Sequence, residues 1–392
     1  MSVRPLAWFG RVFGAPQTPL TLRMPAAPAS APTSAPASAP ASAPDETALR
    51  PVPAHAPVTL NLALQGGGAH GAFTWGVLDA LLDDPGIAVE GLSGSSAGAM
   101  NAVVFAEGWR KGGRAGARQA LKDFWLAVSS QMPWAAMTRG EGDSIDLAPP
   151  SRWIADWAAR FSPSQLNPLD LNPLRELLLK QVDFDRLREA SPFKLFIGAT
   201  NVRTGRLRVF REHELSVDVL LASACLPRLH HAIEIDGEPY WDGGYSANPA
   251  VFPLFYECEA HDILLVLLAP LEREGVPRSV EEIEARVAEL AFSATFMREM
   301  RMFARAAGFT GTSLLASLAF GRLERRLRKL RFHMIDSSGV GSLRRTRTQL
   351  IAHKPFLELL HRQGRECGLD WCAAHIGQVG KRSTFDVAER FA

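Results

Sequence analysis

The sequence contains few cysteines and no cysteine motif. The four cysteines are widely separated and include no C-x-x-C pair; they are Cys225, Cys258, Cys367 and Cys372. Zinc sites and disulfide frameworks need closely spaced or numerous cysteines. We therefore expect neither a metal site nor a disulfide scaffold, and a reducing compartment fits this cysteine usage best.

Long apolar runs and a strong net charge are also missing. The longest apolar candidate, residues 311–320, is far shorter than the roughly 18 residues that a membrane-spanning helix needs. The formal net charge of +2 is too small to indicate nucleic acid as the main partner. We expect a cytoplasmic or peripheral membrane protein with no transmembrane helix and no signal peptide.

The first 57 residues are rich in proline, alanine and serine. They hold 12 of the 27 prolines, including the repeat SAPTSAPASAPASAP. Such a segment cannot bury a core, and its prolines favour a semi-extended chain. A transit peptide is the alternative, because Arg4, Arg11 and Arg23 precede the first acidic residue. We predict a disordered tether over residues 1–57 and a folded domain over 58–392.

Apolar periodicity in the folded part predicts alternating strands and helices. Strands are expected at residues 60–64 and 87–92, with helices at 72–82 and 99–106. This order implies a parallel sheet covered by helices on both faces. The other expected elements are strands at 193–200, 263–268 and 332–335, hairpins at 201–210 and 232–240, a short helix at 220–227, long helices over 279–330 and helices from there to residue 392.

The pattern is irregular between residues 121 and 184. Four tryptophans lie there among prolines: Trp125, Trp134, Trp153 and Trp157. They fit either a cap over an apolar substrate groove or ordinary helices that pack their tryptophans inward. Asn172 followed by Pro173 suits an N-cap and a first helical residue, so a helix is predicted over 174–180.

A glycine-rich loop directly follows the first strand. Gly66-Gly67-Gly68-Ala69-His70-Gly71 satisfies the G-x-G-x-x-G pattern of dinucleotide-binding folds, and Glu90 lies near the position of a ribose-binding acid. However, Glu90 lies inside the second apolar run instead of at its carboxyl end. The dinucleotide interpretation also leaves two later motifs unexplained, and we favour a different one.

The segment Gly94-Ser95-Ser96-Ala97-Gly98 matches a Gly-x-Ser-x-Gly elbow between a strand and a helix. In such an elbow the serine is a nucleophile, and glycines flank it because the backbone doubles back on itself. Ser96 is therefore the candidate nucleophile. The bare N–H groups of Gly66, Gly67 and Gly68 are candidates to stabilise the oxyanion that its attack creates.

The base is less obvious from the motifs alone. An α/β-hydrolase would use a late histidine, yet His333, His353, His361 and His375 lie in helix-like or strand-like contexts and are expected to be surface or packing residues. We expect the same of His230 and His231. Asp242 ends a strand before Gly243 and Gly244, where it is either the base or an Asx-turn residue.

Taken in order, these motifs resemble the patatin-like phospholipase family. The resemblance rests on the glycine loop, the elbow, the block Ala222-Ser223-Ala224-Cys225-Leu226-Pro227 and Asp242-Gly243-Gly244. Its sharp motifs lie within residues 62–244, and weaker similarity extends over most of 58–392. The resemblance implies a three-layer α/β/α fold with a mainly parallel central sheet.

The resemblance also implies lipid acyl hydrolysis by a Ser-Asp dyad. Ser96 would be the nucleophile and Asp242 its base, with Gly66, Gly67 and Gly68 in the oxyanion loop. Gly94, Gly98, Gly243 and Gly244 would support the two motifs, and no metal or organic cofactor is implied. His70 departs from the family, which commonly has Arg or Lys there, so we expect a titratable charge beside the oxyanion loop.

The expected partner is a phospholipid, a lysophospholipid or a related acyl ester. A polyester or thioester substrate would use the same site, and a module that binds lipid without turnover is the non-enzymatic alternative. The arginine-rich residues 322–331, with Arg344, Arg345 and Arg347, suggest contact with anionic lipid. A solvated helix face is the alternative, and the sequence does not indicate an oligomeric state.

Overall fold

A mixed sheet of eight strands forms the centre of the fold. The computed structural model describes residues 55–273, 275–309 and 321–391. Most of the predicted tether, residues 1–54, and all of the apolar run 311–320 lie outside the described residues. In chain order the helices and strands are β1 (Val58–Leu64), α1 (Gly71–Leu81), β2 (Ile87–Gly94), α2 (Ala97–Ser129), α3 (Trp134–Met137), β3 (Thr138–Arg139), β4 (Asp146–Leu147), α4 (Pro149–Ala158), α5 (Pro163–Leu166), α6 (Pro173–Gln181), α7 (Phe184–Glu189), β5 (Lys194–Asn201), β6 (Leu207–Arg211), α8 (Val217–Ser223), β7 (Ile233–Ile235), β8 (Glu238–Asp242), α9 (Phe252–Glu257), β9 (Asp262–Val266), α10 (Val280–Phe309), α11 (Arg322–Lys329), β10 (Arg331–Ile335), α12 (Lys354–His375) and α13 (Val387–Phe391).

The central sheet is mostly parallel, as predicted. Its strand order is β10-β9-β1-β2-β5-β8-β7, with β6 also paired to β5. The pairs from β10 to β5 are parallel, whereas β6 and β8 run antiparallel to β5. Because the carboxyl ends of parallel strands meet at one edge, the loops after β1, β2, β9 and β10 converge there.

Helices cover both faces of this sheet and give three layers. Along β1, Leu62 and Leu64 belong to one core cluster while Ala63 belongs to the other, as expected when side chains alternate across a strand. The first cluster contains residues of α1, α2 and α12, and the second contains residues of α9, α10 and α13. The predicted three-layer α/β/α fold with a mainly parallel sheet is therefore confirmed.

Local signals account for several of the element boundaries. Asn172 caps α6, where its side chain accepts the Leu174 N–H at 3.2 Å, and Pro173 is the first helical residue. The predicted hairpin at 232–240 is formed by β7 and β8, and it turns through Asp236 and Gly237 at φ values of 53° and 76°. Both caps and turns of this kind depend on residues that are adjacent in sequence.

Helix α2 is much longer than the predicted helix over 99–106. It runs from Ala97 to Ser129 and contains non-helical backbone at Gly112 and Gly113, where two helical segments join. Gly113 has a φ of 57°, a conformation that glycine adopts without strain. The glycine pair therefore separates two helices, and the second folds back on the first, since a Cβ on Gly108 would lie 2.6 Å from Ala120 Cβ.

Only two of the four tryptophans of the irregular region pack inward. Trp125 is buried, and its Nε1–H donates to Asn101 Oδ1 at 3.0 Å. Trp134 is partly buried, whereas Trp153 and Trp157 on α4 are 70% and 50% exposed. Inward packing is thus correct only for the first two.

Across the described ranges, no helix combines the length and apolar character needed to cross a bilayer.

Candidate active site

Ser96 occupies a sharp turn between β2 and α2. Its φ of 54° and ψ of −125° are rare for a residue other than glycine. A Cβ on Gly94 would lie 2.5 Å from the carbonyl carbon of Gly98, and a Cβ on Gly98 would lie 2.1 Å from the Leu64 oxygen. The turn therefore requires both glycines, and it holds Ser96 in a strained conformation of the kind common at functional sites.

The backbone of Ser96 is fixed by the end of helix α8. Its N–H donates to both the carbonyl oxygen and the Oγ of Ser223, each at 3.0 Å. Ser223 is buried and belongs to the block of small residues at 222–227. From the sequence, the block was only part of the family resemblance, and no role was predicted for Ser223. Its contact gives the block a physical purpose, which is to position the elbow.

Asp242 is buried at the end of β8, at the same edge of the sheet. Its main-chain N–H donates to the Cys225 oxygen at 2.8 Å, and its main-chain oxygen accepts from Thr200 Oγ1 at 2.8 Å. Its Oδ1 accepts the N–H of Gly244 at 2.7 Å. The carboxyl group is therefore held in one orientation by its own turn.

Burial raises the pKa of Asp242 to about 7, while the Gly244 N–H and the Ser96 hydroxyl lower the pKa in part. The Ser96 hydroxyl is therefore close enough to the carboxyl group to affect its pKa. Oδ2 nevertheless has no hydrogen-bond partner of standard geometry among the described residues. The site thus places a buried carboxyl group, with one oxygen free of hydrogen bonds among the described residues, next to the turn serine.

The two glycines after Asp242 are required by close backbone approach. A Cβ on Gly243 would lie 2.2 Å from the Gly198 oxygen, and a Cβ on Gly244 would lie 2.3 Å from Phe292 Cδ1. Any larger residue would push the turn away from β5 or from α10. The Gly-Gly pair therefore keeps the Asp242 carboxyl group beside Ser96.

The glycine loop lies directly against the elbow. A Cβ on Gly66 would be 2.8 Å from Ser96 Cβ, so the two loops are in contact. The Gly66 N–H, however, already donates to Asn248 Oδ1 at 2.7 Å. It is therefore not a bare oxyanion donor, contrary to expectation. Gly67 and Gly68 are more exposed, and their N–H groups form no hydrogen bond within the described residues.

Asn248 is a positioning residue that the sequence analysis missed. It lies in the loop after Asp242, is buried, and links that loop to Gly66. Its carbonyl oxygen accepts from Gln65 Nε2 at 3.5 Å, and Gln65 Oε1 accepts the N–H groups of Leu268 and Ala269 at 2.6 and 3.0 Å. The loops after β1, β8 and β9 are thereby joined in one network.

His70 is fully buried and does not provide the expected titratable charge. Burial, with a contribution from the positive charge of Arg273, lowers its pKa to about 3. Its Nε2 lies 2.7 Å from Thr348 Oγ1, which itself donates to the Arg345 oxygen at 2.7 Å. Because the threonine hydrogen is already donated, Nε2 carries the histidine proton. The ring is therefore neutral at physiological pH and anchors the glycine loop to residues 345–348.

Three other histidines form hydrogen bonds outside this site. His231 Nε2 lies 3.0 Å from the Asn167 oxygen, His333 lies 3.0 Å from Asp262, and His361 lies 3.1 Å from Asp79. These contacts agree with the packing and surface roles predicted for them.

Glu90 is also occupied by protein groups. Its carboxylate accepts the N–H groups of Glu259 and Ala260, both at 2.7 Å, and Lys194 Nζ lies at 2.9 Å. These contacts lower its pKa despite partial desolvation. Glu90 therefore joins β2 to the chain before β9, and it is not available as a ribose-binding acid.

Comparison with known proteins agrees with the motif pattern. Residues 62–255 match the model of the family described as patatin-like phospholipase. No curated protein is significantly similar to the chain. Among solved structures, the crystal structure of VipD from Legionella pneumophila aligns at 17% identity with a TM-score of 0.37, covering 81% of this chain and 67% of VipD. That similarity is too low to carry an inference.

The family match and the site coincide along the chain. The matched range contains the glycine loop, the Ser96 elbow, the 222–227 block and Asp242. The central sheet, mostly parallel and covered by helices on both faces, is the architecture that the motifs predicted. Residues 62–255 therefore form a patatin-like phospholipase domain.

Proposed function

We propose that the chain hydrolyses carboxylic esters of phospholipids or lysophospholipids through Ser96 and Asp242, within a hydrolase domain formed by residues 58–392. Family membership supports lipid acyl hydrolysis in general. The observation that supports the assignment of Ser96 and Asp242 is the buried Asp242 carboxyl group beside the strained Ser96. Its Oδ2 has no hydrogen-bond partner among the described residues, and burial raises the pKa of Asp242 to about 7. An ordinary carboxylate is a much weaker base than this.

In the first half of the reaction, Ser96 Oγ attacks the ester carbonyl carbon and its proton passes to Asp242 Oδ2. The carbonyl oxygen becomes an oxyanion, and the N–H groups of Gly67 and Gly68 donate to it. Helix α2 begins at Ala97, and the partial positive charge of its N-terminus favours negative charge next to Ser96. The tetrahedral intermediate then collapses, and the alcohol leaves with the proton held by Asp242.

In the second half, water attacks the acyl-Ser96 ester. Asp242 accepts a proton from that water, the second oxyanion forms at the same glycine loop, and the fatty acid leaves as Ser96 recovers its proton. No cofactor takes part in either half. The same dyad would also cleave a thioester or a polyester, so the substrate class is decided by the acyl and alcohol groups that the surrounding surface accepts.

The test is lipid profiling of a mixed extract treated with wild type, Ser96→Ala or Ser95→Ala protein. Ser95 is the matched control because it is the adjacent serine, and its hydroxyl donates to the Ala247 oxygen at 2.7 Å. We expect release of free fatty acid and lysophospholipid by wild type and by Ser95→Ala, and none by Ser96→Ala. Turnover of thioesters or polyesters alone would redirect the substrate assignment. A lack of any Ser96-dependent turnover would favour a module that binds lipid without cleaving it.

A further inference from the structure

Three exposed arginines follow β10 at the edge of the sheet that carries Ser96. Arg344, Arg345 and Arg347 are exposed, and their side chains form no ion pair within the described residues. The other predicted basic stretch, helix α11, precedes β10 and therefore meets the opposite edge of the sheet. Of the two basic groups, only residues 344–348, here called the arginine loop, lie on the catalytic side.

The arginine loop is held in place by backbone contacts. Arg273 Nη1 donates to the Arg344 oxygen at 2.6 Å, and Arg273 is itself paired with the partly buried Glu289 at 3.1 Å. The Thr348 N–H and hydroxyl both donate to the Arg345 oxygen, at 3.1 and 2.7 Å. The loop therefore presents its three arginine side chains from a fixed backbone, which reduces the entropy lost on binding a ligand.

A cavity of about 710 Å³ lies beside the arginine loop. Six arginines and four carboxylates line it, so its charge is net positive. Two of the carboxylates are already paired, Asp146 with Arg152 and Glu289 with Arg273 and Arg286. The other two carboxylates are those of Glu281 and Glu282. The three arginines of the lining that form no ion pair among the described residues are Arg344, Arg345 and Arg347. The cavity is therefore suited to bind a negatively charged group.

The arginine loop touches the glycine loop of the active site. Thr348 of the arginine loop bonds to His70 at 2.7 Å, and a Cβ on Gly68 would lie 2.2 Å from the oxygen of Gln349, the residue that follows the arginine loop. Neither Ser96 nor Asp242 lines the cavity. A negative group held there would thus lie beside the reaction centre and would not occupy it.

Exposed apolar side chains border the same loop. Val276 lines the cavity and is 81% exposed, and Leu350, two residues after Thr348, is 56% exposed. Val280, at the start of α10, is 70% exposed. Apolar side chains next to unpaired cations suit a surface that has both charged headgroups and a hydrocarbon interior, which is the surface of a lipid bilayer.

We propose that the arginine loop and its cavity dock this protein on membranes by binding the phosphate headgroups of anionic phospholipids. Arg344, Arg345 and Arg347 would pair with phosphate oxygens while Val276 and Leu350 enter the outer hydrocarbon. This deepens the proposed function, because it names the lipid surface that the hydrolase works on. Its test measures binding, so it succeeds or fails independently of turnover.

The experiment uses full-length Ser96→Ala protein and co-sedimentation with vesicles of phosphatidylcholine, with and without phosphatidylglycerol. We expect binding only when phosphatidylglycerol is present, and weaker binding at high salt. Each basic residue near an anionic surface strengthens binding roughly fivefold, so Arg344→Gln, Arg345→Gln and Arg347→Gln together should weaken binding on the order of a hundredfold. Val276→Asp should weaken binding further.

The matched control removes the same charge from α11 by Arg322→Gln, Arg325→Gln and Lys329→Gln, and its binding should equal that of the parent. Circular dichroism and thermal melting check that both triple variants fold. Equal binding to the two vesicle types by the parent would overturn the proposal, even if a variant failed to fold. An equal loss in the two triple variants would also overturn it, because net charge and not this loop would then explain binding.

Discussion

Asn248 Oδ1 accepts the N–H of Gly66 at 2.7 Å, and this bond joins the loop that carries Asp242 to the loop that contacts Ser96. The two halves of the proposed dyad lie far apart in sequence, so contacts between their loops decide how well they are aligned. Asn248 and Ser223 supply two such contacts, one to the glycine loop and one to the backbone N–H of Ser96.

Replacing Asn248 by alanine is expected to reduce kcat more than it changes KM. The buried Gly66 N–H would lose its acceptor, which costs about 1–3 kcal/mol of stability and lets the glycine loop shift. Asn61→Ala is the control, because Asn61 is equally buried but donates to the Ala260 oxygen. Steady-state kinetics and thermal melting of both variants check this. A normal kcat in Asn248→Ala would contradict the positioning role.

Gly68→Ala is expected to lower kcat by about 10²–10³-fold, the effect of losing one oxyanion donor. Gly68 has a φ of +57°, and a Cβ there would lie 2.2 Å from the Gln349 oxygen, so the loop must move. Gly205→Ala is the matched control, since Gly205 has a φ of +66° but no atom within 4 Å of the added Cβ. If both variants lost activity equally, backbone strain and not oxyanion stabilisation would be the cause.

The acid limb of the pH–rate profile should report Asp242. Because its pKa is raised to about 7 and it must be ionised to accept a proton, kcat/KM on a neutral soluble ester should fall about tenfold per pH unit below pH 7. The pKa of His70 is lowered to about 3, so His70→Gln should leave the position of this limb unchanged. Profiles of the two proteins measured in parallel provide the check, and a flat profile between pH 5 and 8 would refute the assignment.

Asp242→Asn should stabilise the fold while it abolishes activity. A carboxyl group whose pKa is higher in the folded state than its ordinary value binds protons more tightly when folded, so folding stability falls as pH rises from about 4 to about 7. Three pKa units correspond to about 4 kcal/mol at pH 8. The variant's gain in Tm should therefore be larger at pH 8 than at pH 5. An equal or negative change in Tm at both values would mean that Asp242 is not destabilised by its burial.

Much of the fold and the motif residues of the site could be predicted because their signals are local. The elbow glycines, the Asn172 cap and the Asp236-Gly237 turn each depend on backbone geometry within a few residues. The order of strands and helices predicted a parallel sheet covered on both faces, and the family resemblance implied the three-layer α/β/α fold.

The features of the site that the sequence did not predict depend on contacts between segments that are remote in sequence. His70 bonds to Thr348, and the Gly66 N–H donates to Asn248. No pattern near residue 66 or 70 shows either partner. The same holds for the arginine loop, whose position beside Gly68 depends on which edge of the sheet the chain reaches after β10.

The most direct test of the central claim is mass spectrometry of the intact protein and its peptides after treatment with a fluorophosphonate probe. One adduct is expected, on Ser96, in wild type and in Ser95→Ala. No adduct is expected in Ser96→Ala, and labelling should be much slower in Asp242→Asn because the proton acceptor is lost. Labelling that persisted in Ser96→Ala, or an unchanged labelling rate in Asp242→Asn, would contradict the Ser96–Asp242 dyad.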